Sequence, residues 1–215
     1  MAFWKRKPKT RGELVAAADR ARVKGRFKAA AAGYRQALAQ HDPDDPHVNG
    51  KLAPVLARLG DAPGALSTFR RAAEGHLRAG FNDRALAVYT QARDVFPLEA
   101  DFHSEAARIH LLRGRRADAA IVLARGGRAL GRTRRAAAIE MLRGALGLQP
   151  GHLEATLALA PLLRLEDRRL EALELLRCIE PGLRGAPLRR VRWQILRTAP
   201  GLRTAWAWVA ALASR

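Results

Sequence analysis

Four prolines stand at nearly equal intervals along this chain of 215 residues: Pro43, Pro97, Pro150 and Pro200. The intervals are 54, 53 and 50 residues, and each proline closes a similar run, such as YRQALAQHDP at the first or YTQARDVFP at the second. A fixed period of this size marks a repeat architecture, because one repeat buries its apolar face only by stacking on its neighbours. The period therefore predicts a repeat array, a class of scaffold that usually binds other macromolecules and rarely carries out chemistry.

Apolar residues recur at helical spacing almost throughout the chain, and glycines and prolines divide the pattern into segments. The composition agrees, since 48% of the residues are hydrophobic and much of that share is alanine, a strong helix former. Because the connections are short, consecutive helices should be antiparallel neighbours. The chain is predicted to be all-α, with helices over residues 11–24, 27–40, 47–59, 63–79, 82–95, 99–113, 117–130, 134–147, 152–165, 169–180, 187–198 and 203–214.

One helix pair carries a spacing of small and aromatic residues that resembles a known family. Gly80 in the turn, Ala85, Tyr89 and Ala92 in the second helix, and Pro97 after it match the helix–turn–helix pattern of the tetratricopeptide repeat. Similar patterns recur along nearly the whole chain. The resemblance implies a right-handed α-solenoid of about twelve helices in antiparallel pairs, and a role as a protein–protein interaction scaffold.

The spacing of the turns departs from the regular step of 34 residues in that family. Steps of 35, 20, 34, 19 and 34 residues separate successive turns at Gly25, Gly60, Gly80, Gly114, a point near Thr133, and Asp167. This alternation indicates a unit of three helices in about 53 residues, so inner and outer faces would exchange along the array. The family's usual groove residues therefore are not carried over to this chain.

The predicted organisation is a basic tail over residues 1–10 and a single repeat domain over residues 11–215, with units that end near the four spaced prolines. The last helix, 203–214, is interpreted as a terminal cap, because repeat arrays need their exposed end covered. Within it, Trp206 is expected in the core and Trp208 elsewhere on the helix.

The search for catalytic and metal-binding patterns is negative. The six histidines form no HExxH motif, and no CxxC pair or nucleophile elbow occurs. His103 and His110 share one helix face, which favours packing or groove lining. In RGGRALGR, Gly126 and Gly127 are interpreted as close-packing positions and Gly131 as a helix stop, with phosphate binding as the alternative. We expect no enzyme activity, cofactor, metal or small-molecule substrate.

The single cysteine, Cys178, lies in the apolar stretch ALELLRCIE and is expected to be a small core residue. One cysteine forms no internal disulfide, so nothing indicates an oxidising compartment. The chain is therefore expected to be cytoplasmic.

The formal net charge of +19 is the other unusual property, and it is unevenly distributed. Residues 1–28 carry a net charge of +8, and residues 111–147 and 181–215 carry +7 each. The cations of the two later segments are all arginine, whose planar fork suits carboxylates, phosphates and aromatic faces. The candidate partner-binding residues are Arg113, Arg115, Arg116, Arg125, Arg128, Arg132, Arg134, Arg135, Arg189, Arg190, Arg192 and Trp193.

Four interpretations of this charge remain open. The basic surface serves solubility, an acidic protein partner, nucleic acid bound without sequence preference, or an anionic membrane. Arg113–Arg116 and Arg132–Arg135 are expected at opposite ends of helix 117–130, with Arg125 and Arg128 along one side between them. The resemblance favours a protein partner and the basic composition favours an acidic one, with nucleic acid as the alternative.

The N-terminal run MAFWKRKPKTRGEL has basic residues but no apolar core after them, so it is not a secretory signal. No run of 18 apolar residues predicts a transmembrane helix. The N-terminus is interpreted as a solvated tail or as a weak membrane-surface anchor, in which two aromatic residues insert beside four cations: Phe3, Trp4, Lys5, Arg6, Lys7 and Lys9.

Overall fold

The computed structural model describes residues 10–213, apart from the side chain of Ala213. Within this range the chain forms twelve α-helices, one 3-10 helix and no strand, which confirms the all-α prediction. Every predicted helix is present, with both ends within two residues of the expected positions. The helices are α1 Arg11–Val23, α2 Phe27–Gln40, α3 Pro46–Arg58, α4 Ala62–Arg78, α5 Asn82–Val95, α6 Ala100–Leu112, α7 Arg116–Leu130, α8 Arg135–Leu148, α9 Leu153–Leu165, α10 Arg169–Ile179, the 3-10 helix Glu180–Gly182, α11 Gly185–Thr198 and α12 Leu202–Ala213.

The described helices group into two compact units, the first ending at Phe96 and the second beginning at Pro97. Helices α1–α5 belong to unit 1 and α6–α12 to unit 2. Within each unit a helix packs mainly on its neighbours in sequence, as α3 does on α4 and α7 on α8. Short connections impose this arrangement, because they leave the next helix no other surface within reach. The single domain over residues 11–215 stays a prediction.

In unit 1, small residues let the first two helices approach closely. A Cβ atom at Gly33 would lie 3.0 Å from Cβ of Ala18 on the facing helix. Beside this contact, the fully buried Tyr34 donates a hydrogen bond to Asp19 over 2.5 Å, and Lys51 donates to the same carboxylate over 2.6 Å. Burial and the neighbouring Asp19 raise the pKa of Tyr34 to about 12. This hydrogen-bonded group ties α1, α2 and α3 together.

Helix α3 begins at a buried carboxylate. Asp45 is the N-cap residue, and its side chain accepts hydrogen bonds from the backbone N–H groups of His47 and Val48. These are two of the four N–H groups that have no partner within a helix. Arg11 of α1 also binds the Asp45 carboxylate, so the cap joins two helices.

In unit 2, α9 lies at the centre and packs against α7, α8, α10 and α11. It is strongly apolar, and Leu159 and Leu163 are almost fully buried. The prediction that the two adjacent glycines of α7 are close-packing positions is confirmed. A Cβ atom at Gly126 would lie 2.7 Å from Cγ of the buried His103, which packs as predicted, and one at Gly127 would lie 2.5 Å from Cγ of Leu142.

The turns explain why glycine recurs between helices. At the predicted turn positions named below, the backbone takes a positive φ angle, which residues with a Cβ atom rarely adopt. Asp167 has φ +59° at the turn predicted from spacing alone, and Gly131, with φ +47°, ends α7 as predicted. The other predicted turn glycines with positive φ are Gly25, Gly60, Gly80 and Gly114.

Two expectations about burial are wrong. Cys178 is exposed, because α10 buries Ala172 and Leu176 and the cysteine lies off that stripe. Trp206 is 74% exposed, because α12 faces α11 through Trp208 and turns Trp206 away.

The predicted membrane-surface anchor of Phe3, Trp4 and their neighbouring cations lies outside the described residues. Between residues 10 and 213, no helix has both the length and the apolar character that a membrane crossing requires.

Candidate partner-binding surface

Helices α7, α9 and α11 pack side by side in unit 2, and each turns a line of side chains to solvent. On α7 the exposed line includes Arg125 and Arg128, and on α11 it includes Arg190 and Arg197, spaced by seven residues or two turns. We call this surface the Arg-rich face. It comprises Arg125, Arg128, Arg132, Arg164, Arg190 and Arg197, with Glu154 among them.

Glu154 joins the three helices across this face. Arg190 of α11 donates to its carboxylate over 2.7 Å, and Arg128 of α7 donates over 3.4 Å. The hydrogen bond from Arg190 is the main reason why the pKa of Glu154 lies below its usual value, and the charge of Arg128 adds to the effect. Two guanidinium groups thus share one carboxylate, which leaves an excess of positive charge at the bridge.

Arginines also crowd at the C-terminal end of α9. Arg164 donates a hydrogen bond to the backbone carbonyl of Arg197 over 3.2 Å. Burial lowers the pKa of Arg164, and the positive charges of Arg197, Arg169 and Arg132 lower it further. Among the described residues the acid paired with this group is Asp167, 3.6 Å from Arg169, and its side chain is 92% exposed.

Other acids of unit 2 pair with arginines that are not part of the Arg-rich face. Arg143 of α8 binds Glu171 of α10 over 2.6 Å. Two of the predicted partner-binding residues are likewise paired, Arg134 with Glu99 over 3.3 Å and Arg135 with Glu166 over 2.7 Å. These pairs involve none of the arginines of the Arg-rich face, so they do not reduce its positive charge.

The structure separates the predicted residues of α7 into two groups. Arg113, Arg115 and Arg116 lie where α7 begins, whereas Arg132 follows its end. The helix has 15 residues, so the two groups are about 22 Å apart along its axis. The expectation that they lie at opposite ends of this helix is confirmed.

The predicted residues of α11 also point in different directions. Arg192 donates to Glu180 over 2.8 Å and to the backbone carbonyl of Ala207 over 2.9 Å. Trp193 packs against Trp208 with ring centroids 5.1 Å apart and remains 43% exposed. Arg189 is half-buried beside Arg190.

Sequence reasoning missed Arg164 and Glu154 as members of this surface, whereas Arg197 lies in the basic segment 181–215 that it singled out. Residues 148–180 have a net charge of −2, so the net charge of this segment did not single out Arg164 or Glu154. The spacing of Arg190 and Arg197 by two helical turns is the signal that could have placed them on one line.

Unit 1 has a groove of a different character. It has a volume of about 660 Å³ and lies between α3, α4 and α5. Lys51, Asp83 and Asp94 line it, with the buried His76, whose pKa is lowered by burial and by the charges of Arg84 and His47. This groove has no excess of cations.

From residue 10 to residue 213, no group of three potential metal ligands occurs.

Comparison with known protein families identifies the fold. The family model described as tetratricopeptide repeat matches residues 15–76 and 71–128, which together exceed half of the chain. The chain belongs to this family, as its sequence pattern predicts. Tetratricopeptide repeats generally mediate protein–protein interactions, and their proteins are typically non-catalytic scaffolds.

Several solved structures are similar to this chain at low identity. MamA protein shares 14% identity over 89% of this chain and 97% of its own, with a TM-score of 0.39. PilW, described as a widely conserved type IV pilus biogenesis factor, shares 16% identity over 94% of this chain and 91% of its own, with a TM-score of 0.36. TTC0263, a thermophilic TPR protein in Thermus thermophilus, shares 21% identity over 95% of this chain and 100% of its own, with a TM-score of 0.28. No curated protein matches the sequence.

Proposed function

We propose that this protein is a non-catalytic protein–protein interaction scaffold, and that its Arg-rich face binds an acidic segment of a partner protein. The observation that carries the proposal is the crowding of Arg132, Arg169 and Arg197 around the half-buried Arg164. Guanidinium groups that repel one another gain more from an added carboxylate than isolated arginines do, because the added anion offsets several unfavourable pairs at once.

The bridge at Glu154 supports the same assignment. Arg128 and Arg190 compete for one carboxylate, so a carboxylate of the partner can take one of them without leaving Glu154 unpaired. Arginine forms two parallel hydrogen bonds with a carboxylate, which fixes the geometry of the contact as well as its charge. The positive field around the face would also speed encounter with acidic partners and reject basic ones.

The direct test is titration of the protein with a capped oligoglutamate peptide. The triple variant Arg132→Gln, Arg164→Gln, Arg197→Gln removes the crowded group. The matched control Arg115→Gln, Arg116→Gln, Arg184→Gln removes the same charge from exposed arginines of unit 2 that have no partner among the described residues. We expect the first variant to lose about tenfold or more in affinity, since charge-assisted hydrogen bonds contribute about 1.5–3 kcal/mol each, and the control to bind nearly as the wild type does.

An equal loss in both variants would overturn the assignment of the face, because it would mean that the net charge alone attracts the peptide. The control carries two of the sequence-predicted residues, Arg115 and Arg116. A loss confined to the control would therefore transfer the site to the start of α7.

Non-specific nucleic-acid binding is the second candidate function, favoured by Trp193. This residue is 43% exposed beside Trp208 and lies between Arg190 and Arg197 on α11, a combination of aromatic and cationic side chains that suits stacking on a base. An oligonucleotide should then bind with an affinity that falls about 10³–10⁵-fold between 50 and 200 mM salt, if six to ten phosphates are neutralised. Recovery of a protein partner from extract after nuclease treatment supports the scaffold, whereas recovery of nucleic acid alone supports this alternative.

A further inference from the structure

A pocket of about 350 Å³ lies among the last helices of unit 2, away from the Arg-rich face. Arg177 from the last turn of α10, Arg192 from α11 and Arg203 from the first turn of α12 line it. Arg192 is two residues from Arg190, which is about 200° around the helix, so the two side chains leave α11 on different sides. The pocket is therefore a separate cationic site.

The charges that line this pocket do not cancel. Arg192 is neutralised by Glu180, to which it donates over 2.8 Å, and its second hydrogen bond holds the carbonyl of Ala207. Arg177 and Arg203 are exposed, and neither has an ion-pair or hydrogen-bond partner among residues 10–213. Two positive charges are left without a counter-charge at the wall of one cavity.

We propose that this pocket binds a phosphate monoester in its dianionic form. Such a group carries a charge of about −1.5 to −2 at neutral pH and three acceptor oxygens, which matches two unpaired guanidinium groups. A single carboxylate would neutralise only one of them. Ile195 and Ala207 line the same pocket and offer apolar contact to the carbon substituent of the ester.

The start of α12 reinforces the site. Arg203 and Thr204 lie in its first turn, where backbone N–H groups have no partner within the helix and the helix dipole is positive. The Thr204 hydroxyl is already engaged with the carbonyls of Ala199 and Gly201, which fixes this turn beside the pocket. The dipole adds to the attraction that the two unpaired arginines create.

The test is calorimetric titration with phenyl phosphate near pH 7.5, in chloride buffer free of phosphate and sulfate. Phenyl sulfate is the matched probe, because it has the same shape but carries a single negative charge. We expect saturable one-to-one binding of phenyl phosphate, about tenfold or more tighter than that of phenyl sulfate, from one additional charge-assisted contact. Toward pH 5 the advantage should shrink, since the second pKa of the phosphate is about 6.

Variants locate the site. Arg177→Gln with Arg203→Gln should lower the affinity for phenyl phosphate by about ten- to hundredfold. Arg115→Gln with Arg116→Gln, an equal change of charge at the start of α7, should leave it unchanged. Because Arg177 and Arg203 make no hydrogen bonds among the described residues, the thermal unfolding of the double variant should match the wild type and show that its fold is intact.

The source of the phosphate monoester is resolved by a second pair of probes. Free O-phosphoserine and the same residue within a capped alanine peptide share the head group. Equal affinity assigns the pocket to small phosphorylated molecules, and tighter binding of the peptide assigns it to phosphorylated proteins.

Absence of saturable binding, or equal binding by the Arg177/Arg203 variant and the wild type, would overturn the site. The proposal does not rest on the Arg-rich face. Failure of one of these two proposals would not contradict the other, because the variants that remove the two sites share no residue.

Discussion

Replacing Gly127 by alanine tests whether the close approach of α7 and α8 determines the stability of unit 2. Considered as part of a helix, the change is favourable, since alanine exceeds glycine in helix propensity by about 1 kcal/mol. Considered as packing, it is unfavourable. The added Cβ atom would lie 2.5 Å from Cγ of Leu142, 2.9 Å from its Cδ2, and 3.0 Å from the backbone oxygen of Ala138.

The contact distances determine whether the packing cost exceeds the gain in helix propensity. Carbon atoms in contact prefer separations of about 3.5–4.0 Å, so the two helices must move apart by roughly 1 Å or the buried leucine must leave its rotamer. Leu142 is fully buried, and the nearest atom is its branch point rather than a flexible end. Overpacking of this kind costs about 1–3 kcal/mol. After the gain in propensity, we expect a net loss of up to about 2 kcal/mol.

Urea unfolding followed by tryptophan fluorescence reports on this unit, because Trp193, Trp206 and Trp208 all lie in it. The midpoint should fall while the slope with urea stays constant, as for a change in stability alone. Gly147→Ala is the control on α8, where no atom lies within 4 Å of the added carbon. It should raise stability by up to about 1 kcal/mol. A Gly127→Ala protein stabilised as much as the Gly147→Ala control would refute the packing argument.

Three further predictions concern single side chains. Asp45→Ala should destabilise unit 1 by about 2 kcal/mol in urea unfolding, since α3 loses its cap and Arg11 its partner, and an unchanged midpoint would contradict this. Tyr34 should titrate by ultraviolet absorbance near pH 12, and Tyr34→Phe should abolish that transition. Because the folded pKa exceeds the unfolded value of 10.0, stability from this phenol is complete below pH 10 and is lost as the pH rises through 12. Asp167→Gly should stabilise unit 2 by about 0.5–1 kcal/mol, measured as a raised midpoint, because glycine accepts its positive φ angle without strain and the exposed pair of Asp167 with Arg169 contributes little.

The positions of the helices follow from local chemistry, and the sequence therefore predicts them well. Alanine-rich periodic segments end at glycines with positive φ, as at Gly60 and Gly114, and the spacing of turns also identified Asp167 without a glycine there. Burial of a particular side chain depends on which neighbour its helix meets. Helix α12 is apolar on several sides, so its periodicity could not decide between Trp206 and Trp208.

The candidate site depends on contacts between residues that are far apart in sequence. Glu154 meets Arg128 across 26 positions and Arg190 across 36, and both pairings depend on how α7, α9 and α11 align. Local features, by contrast, sufficed to place Arg115 and Arg132 at opposite ends of α7, because the helix between them was itself predicted. Neighbouring positions in sequence reveal charge density, and only the packing of helices reveals which charges share a surface.

The crowding of arginines at the end of α9 also couples folding to the ions in solution. In the unfolded chain Arg132, Arg164 and Arg197 are separated by long stretches of polymer, whereas folding brings their charges together. We therefore expect the folded state to bind anions here more strongly than the unfolded chain does, and by linkage its unfolding temperature should rise with the activity of those anions. For this part of the molecule, the composition of the buffer would then be one of the determinants of stability.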